Sequence, residues 1–228
     1  AGLLSIWLAV ARFRIVLRWP GIGAIRQRFR ESFQYFVAIL SSSVSSSFNT
    51  LVLGFAATNQ VVGYYAAAEK LFIAMRAAFY PIVQALYPYM SHRRDMGLYR
   101  RIFYVTIGGA IVGAAIVFGL SQSITELVLG VEFAASAELL RLFALLVPLV
   151  AASLLLSYPL LAALGREKYA NFPLVIGAFI HVVLVLSLLP MITASTLILI
   201  LLITETAVLV MRVYGVKKLR LWRTREIG

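Results

Sequence analysis

One stretch limits what this chain can become: Val61 to Arg94, VVGYYAAAEKLFIAMRAAFYPIVQALYPYMSHRR. It is long and apolar enough to cross a bilayer as a helix, which takes about 20 residues. Yet it carries Glu69, Lys70 and Arg76 in its interior. Lys70 and Arg76 lie roughly 14 and 22 Å along the helix from Val61, at about 1.5 Å per residue. A charge at mid-bilayer costs about 2.5–3.5 kcal/mol on insertion scales, so such side chains turn to a protein interior or a wet cavity. The stretch therefore predicts a spanning helix that lines something polar within the membrane.

Composition supports a membrane protein. Hydrophobic residues make up 62% of the 228, and the mean hydropathy is +0.93, where a soluble domain sits near 45–50% apolar. A net charge of +12 raises nucleic-acid binding as a class, but the distribution of that charge argues against it. Eighteen of the 21 Lys and Arg fall in four clusters: Arg12 to Arg30, Arg93 to Arg101, Arg166 with Lys168, and Arg212 to Arg225. The alternate connections, 56–60, 122–137 and 190–195, hold no Lys or Arg. That alternation is the positive-inside pattern, with the basic connections cytoplasmic. A basic groove interleaved with stacking aromatics is absent, so no nucleic-acid partner is expected. There is no cysteine, which excludes disulfides, thiolate metal sites and a Cys nucleophile.

Taken in order, the chain opens on AGLLSIWLAVA. Residues 1–14 read as the inner end of a preceding spanning helix whose start lies upstream. A basic cytoplasmic connection, 15–31, follows, broken by Trp19-Pro20-Gly21. A six-helix transmembrane lobe is expected over 32–214, with spans near 32–55, 61–89, 102–120, 138–164, 172–189 and 196–214. A basic cytoplasmic tail covers 215–228. The first span is rich in small polar residues, and Ser42, Ser45, Ser46 and Asn49 share one face at helical spacing. Two readings stand: close helix packing or the wall of a hydrated cavity. Pro81, Pro88, Pro148 and Pro159 should bend their helices. Gly109 and Gly113 form a small-xxx-small pair that predicts close helix approach. Glu138 and Arg141, three residues apart, predict an interfacial ion pair.

Nothing in the sequence resembles catalytic machinery. The chain has two histidines and no HExxH, GxSxG or P-loop; no loop is long enough for a catalytic domain. The chain is read as a non-enzyme without a cofactor. Glu69 and Arg76 share a helix face two turns apart. Either they neutralise a partner inside the bundle, or Lys70 and Arg76 capture an anion in a low-dielectric cavity. Glu69 and Glu205 are then candidate coupling sites for a proton or sodium ion. His181, at the centre of the fifth span, is either packed and hydrogen-bonded or a third coupling candidate.

Read together, SSSFNTLVLGFAATNQVVGYYAAAEKLFIAMRAAFYPIVQALYPYMS, the later LGVEFAASAELLRLFAL and LLITETAVLV resemble the polysaccharide transporter family, the O-antigen (Wzx-like) flippases. The matching positions are Asn49, Leu53-Gly54, Val62-Gly63-Tyr64, Lys70-Leu71, Pro81, Leu86 and Pro88. Many relatives carry an acidic residue where this chain has Asn49, so a cation site at that position is not carried over. The resemblance spans Arg30 to Tyr214 and implies an all-α integral membrane fold. In it, the present six-helix bundle is the C-terminal lobe of a two-lobe transporter of the multidrug/oligosaccharidyl-lipid/polysaccharide superfamily. It also implies an activity: moving an undecaprenyl-pyrophosphate-linked glycan across the bacterial inner membrane by alternating access, with an N-terminal lobe and polysaccharide polymerase or assembly proteins as partners. Substrate-facing candidates on this reading are Lys70, Arg76, Asn49, Ser42 and Ser46. Related activities are lipid II flipping and multidrug/cation antiport; a non-transporting assembly partner of a polysaccharide synthase is a reading from another class.

The charge pattern makes a direct prediction, and the absence of native cysteines removes background. With single cysteines introduced, an impermeant thiol reagent applied to intact cells should label positions Thr58 and Ser123 and spare Ser91 and Thr224. Labelling of the second pair from outside would overturn the orientation.

Overall fold

The computed structural model describes residues 48–223 together with Gly21, Ile22, Gly23, Ile25, Arg26 and Phe29. The chain divides into two compact units, Ala1–Phe36 and Val37–Gly228. In the first, Ile22, Gly23, Ile25, Arg26 and Phe29 are helical, and the Ile25 amide donates to the Gly21 carbonyl at 3.2 Å. The expected segments 1–14 and 15–31, most of the first span, and the tail beyond 223 lie outside the described residues.

The second unit is helical throughout its described length. Helix α1 covers 48–56 as described. It is followed by α2 (Asn59–Ala77), α3 (Tyr80–Arg93), α4 (Met96–Leu129), α5 (Ser136–Leu155), α6 (Glu167–Ser187) and α7 (Ala194–Lys218). No strand occurs among the described residues. Counting α2–α3 as one segment, and α5 with the turn that continues it, five helices are long and apolar enough to cross a membrane. The sixth expected span, 32–55, falls largely outside the described residues.

Proline chemistry shapes two of these helices. Pro81 lacks an amide proton and its ring crowds the carbonyl four residues back. The chain tightens ahead of it: the Ala78 and Phe79 amides reach back only three residues, to Met75 and Arg76, at 3.3 and 3.2 Å. Helix α2 ends there and α3 restarts with Pro81 in its first turn, where the missing donor costs nothing. Pro159 has a different outcome. Residues Leu156–Ala162 widen into a π-helical turn, as inserted distortions in long helices often do. Pro159 cannot donate to the Leu155 carbonyl, and the Tyr99 hydroxyl of α4 takes that place at 3.1 Å. The defect in one helix thereby becomes a tie to another.

Helix α4 is 34 residues long, about 51 Å at 1.5 Å per residue. That exceeds the ~30 Å hydrocarbon core, so the expected span 102–120 is the middle of a longer rod. Asp95 caps its start, accepting from the Leu98 amide at 3.0 Å and the Tyr89 hydroxyl at 3.1 Å. The Leu98 amide, more than any other contact, holds the Asp95 carboxyl below the usual range. Gly130, at φ +99°, ends the helix in a conformation L side chains avoid.

Helix α5 is the most enclosed of the five. Its Leu140, Phe143, Leu146, Val147 and Val150 meet Tyr65, Ala68 and Phe72 of α2 and Leu197 and Ile198 of α7. Phe72 stacks on Phe143 with ring centres 5.1 Å apart. At the other end a second cluster joins Val83, Leu86 and Met90 of α3 to Tyr99, Leu160, Leu161 and Val216. Lipid is as apolar as these side chains, so packing fit rather than the hydrophobic effect holds such a bundle.

That fit falls elsewhere than Gly109 and Gly113. Nothing lies within 4 Å of a Cβ built at either. The α4 face that is buried carries Thr106, Ala110 and Ala114 instead. The close approach is between α6 and α7: a Cβ at Gly177 would stand 2.5 Å from Val208 Cγ2, and one at Gly215 would stand 2.8 Å from Tyr169 Cδ1. Nor do Glu138 and Arg141 pair; Arg141 Nε donates to Ser121 Oγ of α4 at 2.7 Å. A neutral acceptor on the facing helix lies nearer than a carboxylate on the same one.

Gly177→Ala should therefore push α6 from α7 and destabilise the protein by about 1–3 kcal/mol, the range of an overpacked core. Gly109→Ala and Gly113→Ala should be neutral or slightly stabilising. Thermal unfolding of the purified variants in one detergent checks the ordering.

Candidate functional site

The polar residues of the bundle form two connected groups, meeting at neighbouring positions of α7. The first is a hydrogen-bonded chain. Asn49 of α1 donates through Nδ2 to the Tyr65 hydroxyl of α2 at 3.2 Å. Its Oδ1 lies 2.7 Å from His181 Nε2 of α6. His181 Nδ1 lies 3.4 Å from Thr204 Oγ1 of α7, and Thr204 donates to the Ile200 carbonyl at 2.8 Å. All four side chains are buried. On the other flank Thr50 donates to Glu69 Oε2 at 3.4 Å, and Glu69 is close enough to Tyr65 to act on it electrostatically.

A neutral ring protonated at Nε2 donates to Asn49 Oδ1 and leaves Nδ1 facing the Thr204 hydroxyl.

The second group is cationic. Arg212 of α7 is 3% exposed. Its guanidinium donates to the Ala170 carbonyl from Nε and Nη2, at 3.2 and 2.9 Å, and to the Ser153 carbonyl from Nη1 at 3.0 Å. Nη1 also donates to the Ser153 hydroxyl. Five fixed donors in a plane suit this task, and lysine could not replace it. Seven residues, about two turns, earlier on the same helix, Glu205 lies in the fields of both Arg212 and Arg76. Arg76, near the end of α2, is the contrast. Its Nε is buried and has no hydrogen-bond partner, and no carboxylate of the described residues forms an ion pair with it. Lys70 is exposed on the same helix.

The structure thus joins residues that the sequence separates into roles. Asn49 and His181, 132 positions apart, are direct partners. Glu205 and Arg76 are neighbours in charge. Glu69 meets Thr50 rather than Arg76. Ser42 and Ser46 lie outside the described residues. Arg212 reads in sequence as the first member of the last basic cluster, inside the expected span 196–214, and its burial carries no further sequence signal. No group of three or more His, Asp or Glu that could hold a metal occurs among the described residues.

An all-helical bundle with several membrane-crossing helices and a polar interior defines a multi-pass membrane protein. Residues 1–93 match the family model described as "Polysaccharide biosynthesis protein". Over 220 residues the chain is 27% identical to a Shigella dysenteriae protein named "Putative O-antigen transporter", covering 95% of this chain and 56% of that protein. The chain therefore spans about half the length of the curated relative it matches. Both findings agree with the resemblance to polysaccharide transporters that the sequence carries. No solved structure matches the chain.

The Asn49–His181 contact can be weighed by a double-mutant cycle. Asn49→Leu or His181→Leu alone strands a buried polar partner and should cost about 1–3 kcal/mol. The double variant should cost clearly less than the sum of the two. Thermal stability in detergent measures all three; strict additivity would show that the pair does not interact.

Proposed function

We propose that the chain forms one lobe of a flippase of the bacterial inner membrane. The flippase carries a polyprenyl-pyrophosphate-linked oligosaccharide from the cytoplasmic to the outer leaflet by alternating access. The observation that carries this reading is Arg76: a guanidinium within a membrane-crossing segment whose Nε is buried and unpartnered. An arginine so placed is costly unless an anion reaches it, and a pyrophosphate offers the planar, two-pronged acceptor that a guanidinium fits. Lys70, six residues earlier on the same helix and exposed, adds a second cation nearby. Ser42 and Ser46 remain candidates for the same cavity.

A carrier of this kind returns its empty cavity by changing the cavity's charge. Glu205, between Arg76 and Arg212 in electrostatic terms, is placed to respond when an anion enters or leaves. Glu69, Glu205 and His181 are the candidates for a coupling proton or sodium ion. The six-helix lobe, with both ends cytoplasmic, would work against a second lobe of similar size, the length by which the Shigella relative exceeds this chain.

The test measures glycan export and membrane abundance for variants of the whole protein in cells that lack the native copy. Arg76→Ala should leave abundance unchanged and lower export at least ~tenfold, the loss of roughly one charge-assisted hydrogen bond. Arg76→Lys should restore part of it. Low abundance of Arg76→Ala, recovered by adding Glu205→Gln, would mean that Arg76 only balances a buried carboxylate. Full export by Arg76→Ala would also end its role in substrate binding.

A further inference from the structure

A cavity of about 590 Å³ opens at the end of α7, and the reading above makes no use of it. Its walls are Phe103 of α4, Leu156 of the π-helical turn, Val213 and Val216 of α7, and Trp222. Lys217 and Arg220 complete the lining. Among the described residues the wall is thus aliphatic and aromatic, the charged members are both cations, and no acidic residue takes part. Lys217 and Arg220 are exposed and form no ion pair among the described residues.

The backbone constructs this cavity. Helix α7 closes with the Leu219 amide on the Gly215 carbonyl and the Arg220 amide on Lys217, both at 3.0 Å. Arg220 then takes φ +53°, a left-handed conformation that costs a non-glycine residue about 1–2 kcal/mol. The turn folds Leu221–Arg223 back toward α4. Trp222 there meets Phe103, Tyr99 and Tyr104 edge to face, with ring centres 5.3, 6.1 and 6.1 Å apart. The result is an apolar slot with two ammonium- and guanidinium-bearing arms at its rim.

We propose that this cavity binds an anionic phospholipid of the surrounding leaflet, with an acyl chain in the slot and the phosphate between Lys217 and Arg220. Three features select that occupant. The slot lies where a long apolar helix passes into a basic terminus, the depth at which headgroups meet acyl chains. Basic pockets between spanning helices are complementary to anionic headgroups. Trp222 and the exposed Tyr104 are amphipathic rings of the kind that settle at the membrane interface. A free phosphate would leave the apolar wall unfilled, and a zwitterionic lipid would gain little from two cations. The site stands independently of which solute the protein moves.

The experiment uses the purified whole protein in a neutral detergent. Native mass spectrometry measures retention of dioleoylphosphatidylglycerol and dioleoylphosphatidylcholine, whose acyl chains are identical. Phosphatidylglycerol should be retained about tenfold or more over phosphatidylcholine, as two cations near a headgroup imply, and the preference should shrink as salt is raised. Lys217→Gln with Arg220→Asn should abolish the preference; asparagine tolerates the left-handed turn. A photoreactive phosphatidylglycerol on the unaltered protein should crosslink to the segment 213–222, which keeps the test valid if the double variant folds poorly. Equal retention of the two lipids, crosslinks confined to other segments, or inorganic phosphate displacing the lipid at equal concentration would each overturn the proposal.

Discussion

The fork of Arg212 is the contact on which the arrangement of the last three helices depends. One side chain from α7 reaches the Ser153 carbonyl of α5 and the Ala170 carbonyl of α6. In an apolar bundle there is little hydrophobic gain in bringing helices together. A buried guanidinium changes that balance, because separating the helices would leave a cation and its acceptors without partners in hydrocarbon. The same logic explains the Tyr99 bond to the Leu155 carbonyl that Pro159 leaves free. It also explains the chain from Tyr65 through Asn49 and His181 to Thr204. Each is a polar group whose neighbours are chosen because nothing else in the membrane could satisfy it. Gly177 and Gly215 then let α6 and α7 approach closely enough for the fork to reach.

These ties differ in how far they can be read from the sequence. The apolar runs and the break at Pro81 are local signals, and helix periodicity carries them directly. The facing of small residues is not local. Gly109 and Gly113 have the spacing of a packing motif, yet α4 turns Ala110 and Ala114 inward; a three-residue spacer defines a face without saying which face meets a partner. Asn49 and His181 each stand out as polar residues in apolar runs, but a hydrogen bond across 132 positions leaves no mark on either run. Arg212 is hidden for another reason. A cation near the end of a spanning helix ordinarily snorkels to the headgroups, and only the nearby carbonyls of other helices redirect it inward.

The two interior arginines differ in how fully their donors are met. Arg212 has its donors spread over two backbone carbonyls and a hydroxyl, so an incoming anion would have to compete with contacts that hold three helices. Arg76 has a buried Nε with no hydrogen-bond partner among the described residues. Glu205 senses both.

The basic terminus completes the same argument from the outside. Cations that cannot find acceptors inside the bundle have two remaining partners, water and lipid phosphate. Lys217 and Arg220 stand where α7 ends and the chain folds back through Arg220 to lay Trp222 on Phe103. That turn carries a conformational cost, and the aromatic cluster it closes supplies the compensating contacts. An acyl chain in the resulting slot would extend the packing of Leu156, Val213 and Val216, next to the π-helical turn whose freed carbonyl Tyr99 already occupies. The end of the bundle where helices are most distorted is thus also the end most able to use lipid as a packing element.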